Sequence, residues 1–135
     1  MATKVLDSWA LIAFFEDEPA AEAVEKLLGQ ASLEKHRLLL SVVNWGEIYY
    51  NTMREVSQEA AEQTAQEIAA LPIEIIGVGE DLTLARQAAV FKATHKMSYA
   101  DCFAAALAKA KNAELITGDP EFKALEKEIK INWLK

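Results

Sequence analysis

The sequence predicts an α/β fold, a three-layer α/β/α sandwich whose central, mainly parallel sheet has about five strands. Three observations lead there. Short apolar runs alternate with helical segments in the order strand, two helices, strand, two helices, strand, two helices, strand, helix, strand, and crossovers between parallel strands need connections of that length. Aspartates stand where a strand ends or a helix begins, at Asp7, Asp101 and Asp119. The chain has 135 residues, 52% hydrophobic and 26% charged, which suits one ordered domain over residues 1–135 with a substantial core.

Lys4 to Leu6, with Thr3, make a short first strand ending at Asp7. Ser8 to Phe15 (SWALIAFF) is too apolar for a surface helix and reads as one packed on the sheet over most of its circumference. Asp7 thus occupies a strand-to-helix switch, where an aspartate serves either as an N-cap or as a metal ligand presented from a sheet edge. Glu16-Asp17-Glu18-Pro19 is an acidic turn into a second helix through about Leu28, with Gly29 as its stop. Arg37 to Val43 (RLLLSVV) is the second strand, and a helix beginning at Ser41 or a neighbour carries Asn44, Glu47 and Tyr50. Early in a helix a glutamate ordinarily compensates the dipole from the surface. Here Val43, Trp45, Ile48 and Tyr49 suggest burial, and a buried carboxylate needs a partner.

Ser57 to Leu71 is an amphipathic helix, ended by Pro72, with Ala61, Thr64, Ala65 and Ile68 inward. Ile73 to Val78 supply the third strand. Asp81 opens a helix through about Thr94 with Leu82, Ala85, Ala89 and Val90 facing in. His36 and His95 share no ligand spacing with each other or with an acid, and read as surface or loop residues. The stretch from Ser98 to Phe122 then runs helix, turn, strand, turn. Ser98 is an N-cap with Asp101 three positions on, alanine-rich helix follows to Lys111, and Asn112 is its stop. Ala113 to Thr117 suit a buried strand, and Gly118-Asp119-Pro120 opens another helix with proline in its first position. Ile129 to Leu134 form a last edge strand, which Lys127 and Lys130 guard against further pairing.

Composition excludes several classes. No apolar run is long enough to span a bilayer and MATKVLDS has no signal-peptide h-region, so the expectation is a cytoplasmic protein without membrane attachment. The single cysteine, Cys102, rules out an internal disulfide and any multi-cysteine metal site, and suits a small buried residue. A net charge of −7 repels nucleic acid unless cations intervene or basic residues segregate on one face.

Helices that follow strand C-termini bring their first residues to one edge of a parallel sheet, the edge where such folds place their sites. Asp7, Asp101 and Asp119 are expected there, with Glu47 following strand two. Crowded carboxylates push protons back onto one another, and a divalent cation removes the conflict. All-oxygen ligands suit Mg²⁺ or Mn²⁺ rather than zinc.

Three blocks of sequence carry a resemblance: VLDSWALIAFF with Asp7, SVVNWGEIYY with Glu47, and MSYADCFAAALAKAKNAELITGDPEF with Asp101 and Asp119. Together they resemble the PIN-domain ribonucleases, and in size and spacing the VapC-type toxins of bacterial and archaeal toxin–antitoxin pairs, nearly end to end. The third block is the most specific. The resemblance implies that Asp7, Glu47, Asp101 and Asp119 form an acidic quartet binding Mg²⁺ or Mn²⁺, with Thr117 a supporting polar residue beside Asp119. Asp7 and Asp101 would be principal ligands, and Glu47 and Asp119 direct or water-mediated ones that orient the attacking water. It further implies single-stranded RNA as substrate, a cognate antitoxin protein as partner, and a homodimer. Lys92 and Lys96 are candidates to track the RNA backbone. One departure is Trp9, which stands where the family often has Ser, Thr or Asn; Ser8, one position away, is the substitute candidate.

Two other classes fit parts of the pattern. A receiver-type phosphoacceptor domain has similar length and a Mg²⁺-binding acidic cluster, but needs an adjacent acidic pair after its first strand, which Asp7-Ser8 does not supply. A PIN-like module that binds RNA or protein without catalysis is the other.

Overall fold

The computed structural model describes residues 2–135. Five strands, β1 (Ala2–Leu6), β2 (His36–Ser41), β3 (Ile73–Ile76), β4 (Glu114–Thr117) and β5 (Lys130–Trp133), alternate with six α-helices. These are α1 (Ser8–Phe15), α2 (Ala21–Ser32), α3 (Val42–Glu55), α4 (Gln58–Ala69), α5 (Thr83–Thr94) and α6 (Tyr99–Ala110). All four strand pairings are parallel and the order across the sheet is β3-β2-β1-β4-β5. Receiver domains use the order 2-1-3-4-5, so this is a different winding.

Strand parity assigns each residue to a layer, because successive side chains point to opposite faces. Val5, Leu39 and Leu115 pack in one apolar cluster with α5 and α6, through Ala88, Phe91 and Leu107. Leu6, Leu38, Leu40 and Ile116 enter the opposite cluster with α1 to α4, through Leu11, Val24, Ile48 and Ile68. Both faces of the central strands are therefore covered, which is why β2 reads as a continuous apolar run rather than an alternating one. No helix of the described residues is long and apolar enough to cross a membrane.

The helices start where the sequence offers caps. Asp7, Ser41, Ser57, Ser98 and Asp119 each accept a hydrogen bond from a backbone N–H of the following first turn. Several boundaries differ from expectation. Strand β2 ends at Ser41, because that residue caps α3 and takes Val42 and Val43 into the helix. Helix α2 runs through Gly29 to Ser32, and its reversal comes at Glu34, where φ is 58°. Helix α5 begins at Thr83, with Leu82 in the left-handed region, and of the expected inward residues only Ala85 packs on the core; the helix buries Ala88 and Phe91 and leaves Leu82, Ala89 and Val90 exposed. The segment after Asp119 is a 3-10 helix, Pro120–Leu125. His36 is buried with its Nε2 3.0 Å from the Leu27 carbonyl, and His95 pairs with Glu128 at 3.2 Å.

Leu39 lies on the second strand and is fully buried. Leu39→Ala is expected to cost about 2–5 kcal/mol of unfolding free energy, read as a lower denaturation midpoint at unchanged denaturant slope.

Candidate metal centre

The winding of the sheet changes direction between β1 and β4: from β1 the chain moves outward to β2 and β3, then crosses back to β4 and β5. In open parallel sheets the crevice at the C-terminal ends of such a pair is the place for ligands. Asp7 immediately follows β1, and Asp119 follows β4 by two residues. Helix α6 enters β4, so its first turn, which carries Asp101, stands at the same edge of the sheet.

Side-chain oxygens of Asp101, Asp119 and Glu121 lie within 4.8 Å of one another. Oxygens on opposite sides of a magnesium ion stand about 4.2 Å apart, so this spacing admits an ion. Asp7 lies behind the trio, fully buried. Its Oδ1 accepts from the Ala10 N–H at 2.9 Å and its Oδ2 from the Thr117 hydroxyl at 2.5 Å. Thr117 in turn accepts from the Asp119 N–H at 3.0 Å. One buried hydroxyl thereby joins the two strand ends.

Glu47 stands apart from the trio. Its Oε1 accepts from the Ser8 hydroxyl at 2.5 Å, and the Asn44 carbonyl, 3.2 Å from Ser8 Oγ, is a second acceptor in reach of that proton. Ser8 is thus the residue that ties Glu47 to the helix following Asp7. Of the six residues the sequence singled out, Asp101 and Asp119 meet directly, Asp7 and Thr117 support them, and Ser8 and Glu47 form a neighbouring pair.

Two residues escaped the sequence reading. Glu121 is exposed on the 3-10 helix and supplies the third carboxylate; the cap at Asp119 with Pro120 after it placed residue 121 in a first turn, which was the available signal. Asn44 is fully buried, donates to the Ala100 carbonyl at 3.1 Å, and has an Oδ1 without a hydrogen-bond partner.

Charge at the site is uncompensated. Ion pairs among the described residues involve Glu74, Glu114 and Glu128, and none reaches Asp7, Glu47, Asp101, Asp119 or Glu121. Burial pushes the Asp7 carboxyl from 3.8 up to about 7, outweighing the bonds from Thr117 and Ala10, with the Asp119 charge adding to the rise. Burial also raises Asp101, followed by its contact with Glu121 and the charges of Asp119 and Asp7. Carboxylates held this way are ligands in want of a cation, and with no nitrogen or sulfur donor among them the set fits a hard, oxygen-binding divalent ion.

An open groove of about 730 Å³ adjoins the cluster, lined by Lys92, His95, Lys96, Ser98 and Glu121. Lys92 Nζ donates to the Met97 carbonyl at 2.7 Å. Lys96 is exposed, makes no hydrogen bond or ion pair among the described residues, and leaves its charge to the groove.

Residues 4–128 match the family model of the PIN domain. The fold is similar to that of DNA-bound VapBC from Salmonella typhimurium, at TM-score 0.75 and 15% identity over 98% of each chain. It is similar to VapBC-1 from nontypeable Haemophilus influenzae, at TM-score 0.70 and 19% identity over 97% of each chain. It is also similar to VapC20 of Mycobacterium tuberculosis, a sarcin–ricin loop cleaving toxin, at TM-score 0.69 and 17% identity over 90% of this chain and 93% of that one. No curated protein sequence matches the chain.

Asp7 yields a pH prediction. Its raised value means that the folded, metal-free protein keeps a proton that the unfolded chain gives up near 3.8. The stabilisation from that proton is full below 3.8 and is lost as pH rises to about 7, since the folded state binds more protons throughout the window. Chelated protein should melt several degrees lower at about pH 7.5 than at about pH 5.5. Asp7→Asn should reduce that slope in a thermal melt, leaving the part that the raised Asp101 contributes; an unchanged slope would remove Asp7 as a source.

Proposed function

The chain belongs to the PIN-domain family, and from that premise we propose that it is a Mg²⁺- or Mn²⁺-dependent endoribonuclease acting on single-stranded RNA. The observation that carries this reading is the cluster of Asp101, Asp119 and Glu121 backed by Asp7, four carboxylates at the sheet's switch point with no cationic side chain paired to them. Asp101, Asp119 and Glu121 would hold the ion, with Asp7 the fourth carboxylate behind them. When bound, a divalent ion offsets the charge that gathers on a phosphodiester under attack and makes water acidic enough to serve as the nucleophile.

The remaining work falls to the chain's own groups. Thr117 fixes the Asp7 carboxylate and the Asp119 peptide, so that these two acids from different strand ends keep one spacing. Glu47, oriented by Ser8 on the helix that follows Asp7, would be the acceptor that aligns the attacking water. Lys96 binds an RNA phosphate next to the one being cut, where its charge offsets the acidity of the surrounding surface. In this reading Asp7 and Asp101 remain essential, and Glu121 takes a share of the ligation given to Glu47 on sequence grounds.

The same reading makes the protein a cytoplasmic toxin of a type II toxin–antitoxin pair, acting as a homodimer and silenced by a cognate antitoxin protein that covers the acidic edge. Support comes from the likeness to the VapBC structures from Salmonella typhimurium and Haemophilus influenzae. Tyr50, Met53 and Val56 on and just after α3, exposed by 45%, 46% and 72%, suit a protein-facing surface better than a solvated one.

Two measurements test this. Purified protein should cut single-stranded RNA in Mn²⁺ or Mg²⁺ and stop when chelator is added, with Asp101→Asn lowering the rate about 100-fold or more; cleavage that survives chelation would defeat the metal assignment. Lys96→Glu should raise KM for RNA several-fold and weaken its salt dependence while leaving kcat within about twofold.

A further inference from the structure

Trp9 has no place in either apolar cluster. It is partly exposed and, among the described residues, stacks on no other aromatic ring. Its position is set by Gly118, between Thr117 and Asp119. A Cβ added at Gly118 would meet three consecutive carbons of the Trp9 ring, Cη2 at 2.2 Å, Cζ3 at 2.5 Å and Cζ2 at 2.7 Å. A point beyond the ring edge would be much farther from the two flanking carbons than from Cη2. Nearly equal distances instead describe a point above the ring, so the indole lies with one face against the Gly118 backbone. Glycine is the only residue that leaves room for it, since the conflict involves backbone on one side and a rigid ring on the other.

The ring is therefore anchored two residues after Asp7 and one residue before Asp119, at the rim of the acidic cluster and outside the core. A flat, immobilised aromatic surface at such a point recognises nucleobases, because every base presents a π-face and stacking tolerates any sequence. We propose that Trp9 is a positioning residue that stacks one base of single-stranded RNA beside the scissile phosphate. This rests on the nuclease reading above and adds a contact that the carboxylates cannot make: they bind phosphate through a cation and are blind to the base. Stacking also gives preference for single strands, since bases in a duplex have no free face.

The experiment has two arms. In the first, cleavage of a single-stranded RNA oligonucleotide in Mn²⁺ is measured for the wild type, Trp9→Ala and Trp9→Phe, and repeated with one abasic ribose moved along the sites flanking the cut. Trp9→Ala should raise KM about tenfold with kcat little changed, and Trp9→Phe should recover most of the loss. At one position the abasic substrate should penalise the wild type and leave Trp9→Ala unaffected, a readout that a purely structural tryptophan would not produce. Equal abasic penalties in both proteins overturn the proposal.

The second arm does not need cleavage. In the Trp45→Phe/Trp133→Phe protein, Trp9 is the sole indole, and its emission should be quenched when an oligonucleotide binds in Ca²⁺, an oxygen-ligated cation used in place of Mn²⁺, with binding followed independently by anisotropy of labelled RNA. Binding without quenching overturns the stacking and leaves the nuclease reading intact. Binding with quenching but no cleavage in either metal overturns the nuclease reading and leaves the stacking intact. Absence of binding overturns the stacking outright.

Discussion

The structure turns on one hydroxyl. Thr117 donates to Asp7 at the end of β1 and accepts from the peptide of Asp119 beyond β4, and those two strands are the ones between which the sheet reverses its direction of winding. Both Asp7 and Thr117 are fully buried. A buried carboxylate without partners is among the costliest groups a fold can carry, so this bond and the N-cap contact from Ala10 determine where Asp7 sits. Everything else at the site is arranged around that fixed point: α6 brings Asp101 to it, and the 3-10 helix brings Glu121.

Desolvation and hydrogen bonding compete at Asp7, and the magnitudes decide the outcome. Two hydrogen bonds favour the charged form, yet burial wins and the carboxyl is held near neutrality in its titration. The site is thus incompletely ionised by its own resources. A divalent cation held there would relieve that conflict, so affinity for it would draw on that relief as well as on direct attraction. With such a cation in place an acidic protein could approach a polyanion, because the repulsion would be cancelled locally.

Much of the architecture was legible from residue order. Caps at Asp7 and Ser98, the break at Pro72, and the alternation of apolar runs with helical ones were enough to give the layers, and parallel winding then sends strand ends to one edge. The acids at positions 7, 101 and 119 followed from that logic. What was not legible depended on side-chain direction. Glu121 counts as a site residue only because a 3-10 turn swings it toward Asp101, and a proline-led helix start does not reveal which way its second residue points. Ser8 meeting Glu47 depends on how α1 and α3 approach each other, which no local pattern encodes. The inward face of α5 was misjudged because Leu82 and Val90 are apolar yet lie outside the stripe that Ala88 and Phe91 define; hydrophobicity alone does not phase a short helix when alanine supplies much of its contact. Lack of ligand spacing makes His36 read as a surface or loop residue, and that criterion says nothing of the Leu27 carbonyl that receives it in the interior.

Helix α6 combines the site's Asp101 with a body made of the smallest apolar side chains. Ala104, Ala105 and Ala106 are wholly inaccessible and Ala108 nearly so, which allows this helix to lie close against the sheet on one side and α5 on the other. Close seating leaves no slack, and each added methylene there would strain the packing. Mutational drift is therefore steered away from this element and toward the outer flanks of α2, α4 and α5, where alanine, glutamate and glutamine face water. The part of the molecule that carries Asp101 is thus the least free to change and the exterior the most, so that constancy and variability come to occupy separate parts of one small protein.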